Sequence, residues 1–210
     1  MKIWTFEGGF DKNLTYLFSD GDAYEATIVD AAVPLSALLP TVEQNSLLPS
    51  KLLVTHTHFD HTAHLDEYAA AFPKAEVCVT NSSGRWPNEL ALSDGDAVKV
   101  GGLTVTALHT PGHTQDSTCY LAENVLFSGD TIFVGRTGRT ISTGSDTRQL
   151  YRSISKKLLT LPENTVIYPG HDYGPVQKIT LKKNIEMSPL LQSTDEDDFV
   201  RRMDDYEKSR

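Results

Sequence analysis

Cysteine is scarce in this chain, with two among 210 residues. Cys78 lies in the apolar run Val77-Cys78-Val79 and Cys119 in Ser117-Thr118-Cys119-Tyr120. Neither belongs to a metal-spaced cluster. A disulfide is arithmetically possible, but the strand contexts favour two buried thiols. Long apolar runs are missing too: no stretch approaches the roughly 18 residues of a membrane span. Positive charge is in deficit, with 19 Lys and Arg against 28 Asp and Glu and a formal charge of −9. A nucleic-acid surface needs concentrated positive charge, so that class of partner is disfavoured, whereas cations would offset part of the excess. Met1 to Glu7 alternates as a strand does and lacks the apolar core of a signal peptide; the cytoplasm is the default expectation.

What is present reads as one domain spanning residues 1–210, with a polar, acidic tail from about Thr194. The first half is rich in short alternating or apolar runs, at Lys2–Glu7, Asn13–Ser19, Thr27–Asp30 and Lys51–Thr55. Helices are expected from Val33 to about Gln44, from His61 to Ala71, from about Asp146 to Leu159 and from Val176 to Met187. Asn88–Asp96 reads as a surface loop, and Gly101-Gly102 as the turn of a hairpin. Strands first and helices between later strands point to an α+β chain with two packed sheets and outer helices, although periodicity leaves several α+β folds open.

The informative stretch is Thr55-His56-Thr57-His58-Phe59-Asp60-His61, in which four potential ligands follow directly on an apolar strand. Imidazole and carboxylate together suit zinc, iron or manganese, and without thiolates the set reads as an open site rather than a closed structural one. His113 follows Pro111-Gly112, His171 follows Pro169-Gly170, and Asp130 ends Phe127-Ser128-Gly129-Asp130. Tight turns of this kind fix ligand direction. His64 stands one helical turn beyond the cluster, and His109 is either an outer hydrogen-bonding partner or an ordinary strand residue.

With these residues the chain resembles the metallo-β-lactamase superfamily, and within it the branch of glyoxalase II (hydroxyacylglutathione hydrolase) and the persulfide dioxygenases. The resemblance runs from the first strands to Tyr173 and implies a four-layer αββα sandwich. It implies one metal on His56, His58 and His113, a second on Asp60, His61 and His171, and Asp130 bridging the two. It extends through Gly129-Asp130-Thr131-Ile132-Phe133-Val134-Gly135-Arg136-Thr137-Gly138-Arg139-Thr140 and Gly170-His171-Asp172-Tyr173. There Arg139 and Tyr173 match glutathione contacts, and Arg136 and Arg148 are further candidates for a substrate carboxylate. Ile141 departs from both relatives. The acidic residues after Met187 stand where glyoxalase II carries a longer, basic helical extension.

The activity so implied is hydrolysis of a thioester or related acyl substrate, glutathione-linked ones among the candidates. Two Zn²⁺ or other divalent ions would supply a bridging hydroxide, with Asp60 and Tyr173 as catalytic residues. The alternative is a persulfide dioxygenase with one Fe²⁺ on His56, His113 and Asp130. A noncatalytic metal-binding module is the third reading.

Overall fold

The computed structural model describes residues 1–22 and 24–208. Six strands form a first sheet in the order β1 (Lys2–Gly8), β2 (Asn13–Ser19), β3 (Glu25–Val29), β4 (Leu48–Leu53), β5 (Glu76–Val79) and β6 (Glu89–Ala91). β1 to β3 are antiparallel, and β3 to β6 run parallel. The second sheet is ordered β12 (Ile179–Thr180), β11 (Val166–Pro169), β10 (Val125–Gly129), β9 (Thr118–Ala122), β8 (Leu103–His109) and β7 (Ala97–Val100). Only β10 and β11 pair in parallel there.

The two-residue period of a strand assigns each side chain to a layer. In β2, Leu14, Tyr16 and Phe18 face the second sheet and pack with Val105, Tyr120 and Phe127. Leu17 in the same strand faces the other way, into a cluster with Ile28, Leu52 and Val77. That outer face is covered by α1 (Leu35–Gln44), through Leu35, Leu38 and Val42, and by α3 (Leu65–Ala71), through Leu65 and Tyr68. The outer face of the second sheet offers Cys119, Leu126 and Ile167. Leu150 of α4 (Thr147–Ser153), Leu181 of α5 (Leu181–Met187), and Phe199 and Met203 of α6 (Glu196–Lys208) cover it. Three apolar layers separate four layers of backbone, so the chain is an α+β protein with an αββα sandwich. Both thiols are free and buried. Among the described residues no helix is long and apolar enough to cross a membrane.

Five expectations need correction. The polar, acidic tail from about Thr194 is packed and helical: α6 occupies most of residues 194–208, because Phe199 and Met203, one helical turn apart, are both buried beneath the acidic face. Asp195 accepts from the Asp198 amide while Asp198 accepts from the Thr194 amide, so two carboxylates cap the start of the helix. The helix expected from Asp146 is capped there by the Asp146 carboxylate on the Gln149 amide, but it widens into a π-helical turn at Ile154–Leu158. The helix expected from Val176 begins only at Leu181, Ile179 and Thr180 being taken up as an edge strand on β11. Within 88–96, Glu89–Ala91 adds a short parallel edge strand to β5. The segment expected to be helical from His61 is divided between the single turn α2 (Phe59–Thr62) and α3, with His64 between them.

Candidate metal centre

The seven ligand candidates leave strand ends of both sheets at one edge of the sandwich. β4 passes through Val54 and Thr55 into the His56–His61 segment, whose last residues form α2. This segment is pinned on the second sheet side, where Thr57 gives its amide and hydroxyl to Asp116 and the Thr118 amide donates to Thr55 O. His113 follows β8 across the Pro111-Gly112 turn. Gly112 has φ of +142°, and a Cβ there would stand 2.3 Å from the Leu150 backbone, so only glycine lets α4 cross this close. β10 carries a register irregularity between Phe127 and Gly129 against β11. That bulge sets Asp130 beside the Pro169-Gly170-His171 turn, with the Gly170 amide on Gly129 O. A Cβ on Gly170 would lie 2.3 Å from Asp130 Oδ1 and 2.7 Å from His61 Cε1, so this glycine is what lets the two ligand turns touch.

The geometry fits a metal site. His56, His58 and His113 present ring nitrogens within 4.8 Å of one another, and so do Asp60, His61 and His171 with their ligand atoms. His58 Nδ1 lies 3.1 Å from His56 Nε2 and 3.1 Å from His113 Nε2. Nitrogens bound at about 2.0–2.1 Å around one tetrahedral ion stand about 3.3 Å apart, close to this triangle. Asp130 lies between the two groups, with Oδ1 3.2 Å from His61 Nε2 and Oδ2 3.4 Å from His171 Nε2 and 3.6 Å from His113 Nε2. Its Oδ1 is buried with no hydrogen-bond partner. A buried carboxylate oxygen in that state is costly unless a cation meets it.

Outward-facing hydrogen bonds fix the ring orientations. His61 Nδ1 faces Asp30 Oδ2 at 2.8 Å, His113 Nδ1 faces Arg139 O at 2.7 Å, and His171 Nδ1 faces Asp11 O at 2.9 Å. His56 Nδ1 lies 3.2 Å from Thr55 Oγ1, whose proton goes to Asp30. Asn13 Nδ2 donates to Asp60 Oδ2 at 3.1 Å.

Electrostatics divide the histidines. Burial holds His56 well below the usual imidazole range, and the neighbouring His61 reinforces this. Burial also depresses His58, with His113 adding to the effect. Around His61 burial works downward too, but Asp130 and Asp30 outweigh it and the ring is raised. His171 rises to about 9, because hydrogen bonds it donates to Asp130 and Asp60 overcome burial. Asp60 and Asp130 are both lowered despite their burial, chiefly by His171 and His61 respectively. These shifts favour ionised carboxylates beside protonated His61 and His171 when no metal is bound.

A small cleft beside the cluster is lined by Asp11, Phe133, Arg136, Arg139, Tyr173 and Tyr206, with His113 and Asp130 at its floor. Arg136 and Arg139, expected near substrate, are therefore at the site. The Tyr173 ring stacks on His171 at 4.7 Å, and its hydroxyl donates to Asp11 Oδ2 at 2.5 Å. Burial and that carboxylate push the phenol up. Arg136 lies over this ring at 4.0 Å. Arg148 is elsewhere, paired with Glu196 and Asp197 of α6. His109 is also outside the cluster, its Nε2 on Gln115 O, and His64 faces Glu67.

Asn13, Asp30 and Asp11 escape sequence reasoning, since each is a single polar residue at a strand end with no second ligand nearby in sequence. The one signal was Asp30 closing an apolar strand. Tyr206 and Glu207 escape because their segment reads as solvated.

Residues 8–171 match the family model of the metallo-beta-lactamase superfamily. A probable hydroxyacylglutathione hydrolase of Schizosaccharomyces pombe is 33% identical over 203 residues, which cover 92% of this chain and 74% of that protein. The mitochondrial persulfide dioxygenase ETHE1 of Mus musculus is 27% identical over 199 residues, covering 90% and 75%. Among solved structures, ETHE1 from Myxococcus xanthus superposes with a TM-score of 0.88 at 29% identity, covering 97% of this chain and 90% of that one. The chain belongs to the metallo-β-lactamase superfamily.

Proposed function

We propose that the protein is a metal-dependent hydrolase of a thioester or related acyl substrate, with two divalent ions, zinc in our reading, at the His/Asp cluster. The observation that carries this is the place of Asp130: one carboxylate lies against His113 of the first ligand group and against His61 and His171 of the second. His56, His58 and His113 would hold one ion, Asp60, His61 and His171 the other, and Asp130 would face both. Ions bound there would lower the pKa of a water and polarise the substrate carbonyl.

The chain's own residues then have distinct tasks. Asp60 is the more open carboxylate, its side chain 28% exposed against 10% for Asp130. Being ionised, it can accept a hydrogen bond from the attacking water and orient it. Asn13 holds Asp60 in that rotamer. Phe133 and Tyr173 wall the cleft and keep bulk water from His171. Arg136, against Tyr173, supplies positive charge where the acyl group or its thiol carrier would lie.

A second reading is a persulfide dioxygenase with one Fe²⁺ on His56, His113 and Asp130. It is supported by the likeness to the Myxococcus xanthus structure along 97% of this chain. Metal content of anaerobically purified protein separates the two. About two zinc or similar ions per chain, with thioester hydrolysis abolished in His58→Ala and Asp130→Ala, is the expected result. One iron per chain, with oxygen uptake on a glutathione persulfide, would overturn the hydrolase.

A further inference from the structure

α6 brings a carboxylate to the substrate side of the site. Its first turn is clamped by Glu196, which receives Arg148 at 2.8 Å and Arg152 at 2.7 Å. Phe199 and Met203 are then buried against the second sheet's outer cluster. One turn beyond Met203 the helix delivers Tyr206 and Glu207. Tyr206 lines the cleft and receives Arg136 Nη1 at 3.2 Å. Glu207 Oε2 receives Arg139 Nε at 3.1 Å, with the carboxylate side chain only 17% exposed. Arg139 and Glu207 thus meet as neutralising partners at the edge of the cleft.

Arg136 and Arg139 are therefore unequal. Arg136 has a ring and a hydroxyl as partners, and its Nε is buried without a hydrogen bond. Arg139 already holds a carboxylate. A substrate carboxylate directed at Arg139 would have to displace Glu207, whose other oxygen is buried and unpartnered, or share the guanidinium with it at the cost of like-charge repulsion. We propose that Glu207 is a specificity-determining residue: by occupying Arg139 it selects against thiol carriers with a carboxylate there, glutathione included, and favours carriers uncharged at that point. This rests on the reading of the cleft as the substrate mouth.

The test is calorimetric binding of S-methylglutathione and its diethyl ester to the zinc-loaded protein, the methyl group keeping sulfur from binding the metal as thiolate. The wild type is expected to bind the acid no tighter than the ester. Glu207→Gln should bind the acid about five- to tenfold tighter with the ester unchanged, and Arg139→Ala in the same chain should remove the gain. Glu207→Ala, checked like the first variant for an unaltered unfolding transition, guards against a folding defect. Two results overturn the proposal. One is a wild type that prefers the acid fivefold and loses that preference in Arg139→Ala. The other is Glu207 variants that bind the acid no better than the wild type, including no measurable binding. Because binding is read without turnover, a failed thioester assay would leave this ratio standing, and the two readings fail separately.

Discussion

Asp30 Oδ2 lies 2.8 Å from His61 Nδ1 and also accepts the Thr55 hydroxyl at 2.7 Å. Through Thr55 the same carboxylate reaches His56 Nδ1. One buried aspartate, itself no ligand candidate, thereby orients one histidine in each ligand group. It sits just after β3 with a φ of +55°, a conformation aspartate tolerates better than most residues.

Asp30→Ala is expected to weaken metal binding about 10–100-fold, and at both ligand groups rather than one. Competition against a chromophoric chelator reads this directly. A loss confined to one equivalent of metal would break the proposed link through Thr55.

The metal-free protein should respond to alkali. His171 is raised to about 9 in the folded chain, against about 6.5 unfolded. A raised histidine contributes stability that is complete below the unfolded value and is lost as pH rises through the folded one. The melting temperature of chelator-treated protein should fall between pH 6.5 and 9. Metal binding should release protons in that window and strengthen with pH. Titrations in buffers of differing ionisation enthalpy count those protons; zero release at pH 7.5 would contradict the protonated site.

Burial pushes the Cys78 thiol up to about 12 and the Cys119 thiol up to about 11. Since thiolate is the nucleophile, neither should react with iodoacetamide at pH 8 in the folded protein, and both should react once it is unfolded. Mass spectrometry before and after denaturation distinguishes the cases; rapid labelling of native protein would mean that a strand bearing a cysteine opens readily.

Local sequence carries much of the site. His56, His58, Asp60 and His61 are readable because they fall within six positions after an apolar strand, and His113 and His171 because Pro-Gly turns precede them. Asp130 needs the resemblance, as a lone Asp after a strand is common. What sequence alone cannot supply is the approach of distant chain segments. Asn13 meets Asp60 across 47 positions and Arg139 meets Glu207 across 68, pairings that no local period encodes. The fold shows the same division. The alternation of β2 is plain in the text of the chain, whereas α6 hides because two buried side chains are outnumbered by charges. The edge strands β6 and β12 are too short for a period to register.

Each ligand group straddles the seam of the sandwich. His56, His58, Asp60 and His61 extend from the first sheet, while His113, Asp130 and His171 extend from the second. An ion held between His58 and His113 would be a rivet between the two layers, added to the hydrogen bonds that join them at this edge, such as Tyr16 to Pro169 O and Thr118 to Thr55 O. The seven ligand candidates span chain positions 56 to 171, so the full set comes together only after nearly all of the β-sandwich has been assembled. Metal bound there would stabilise the finished protein by mass action, so supply of the ion would set how firmly the two sheets stay closed as well as whether the site is loaded.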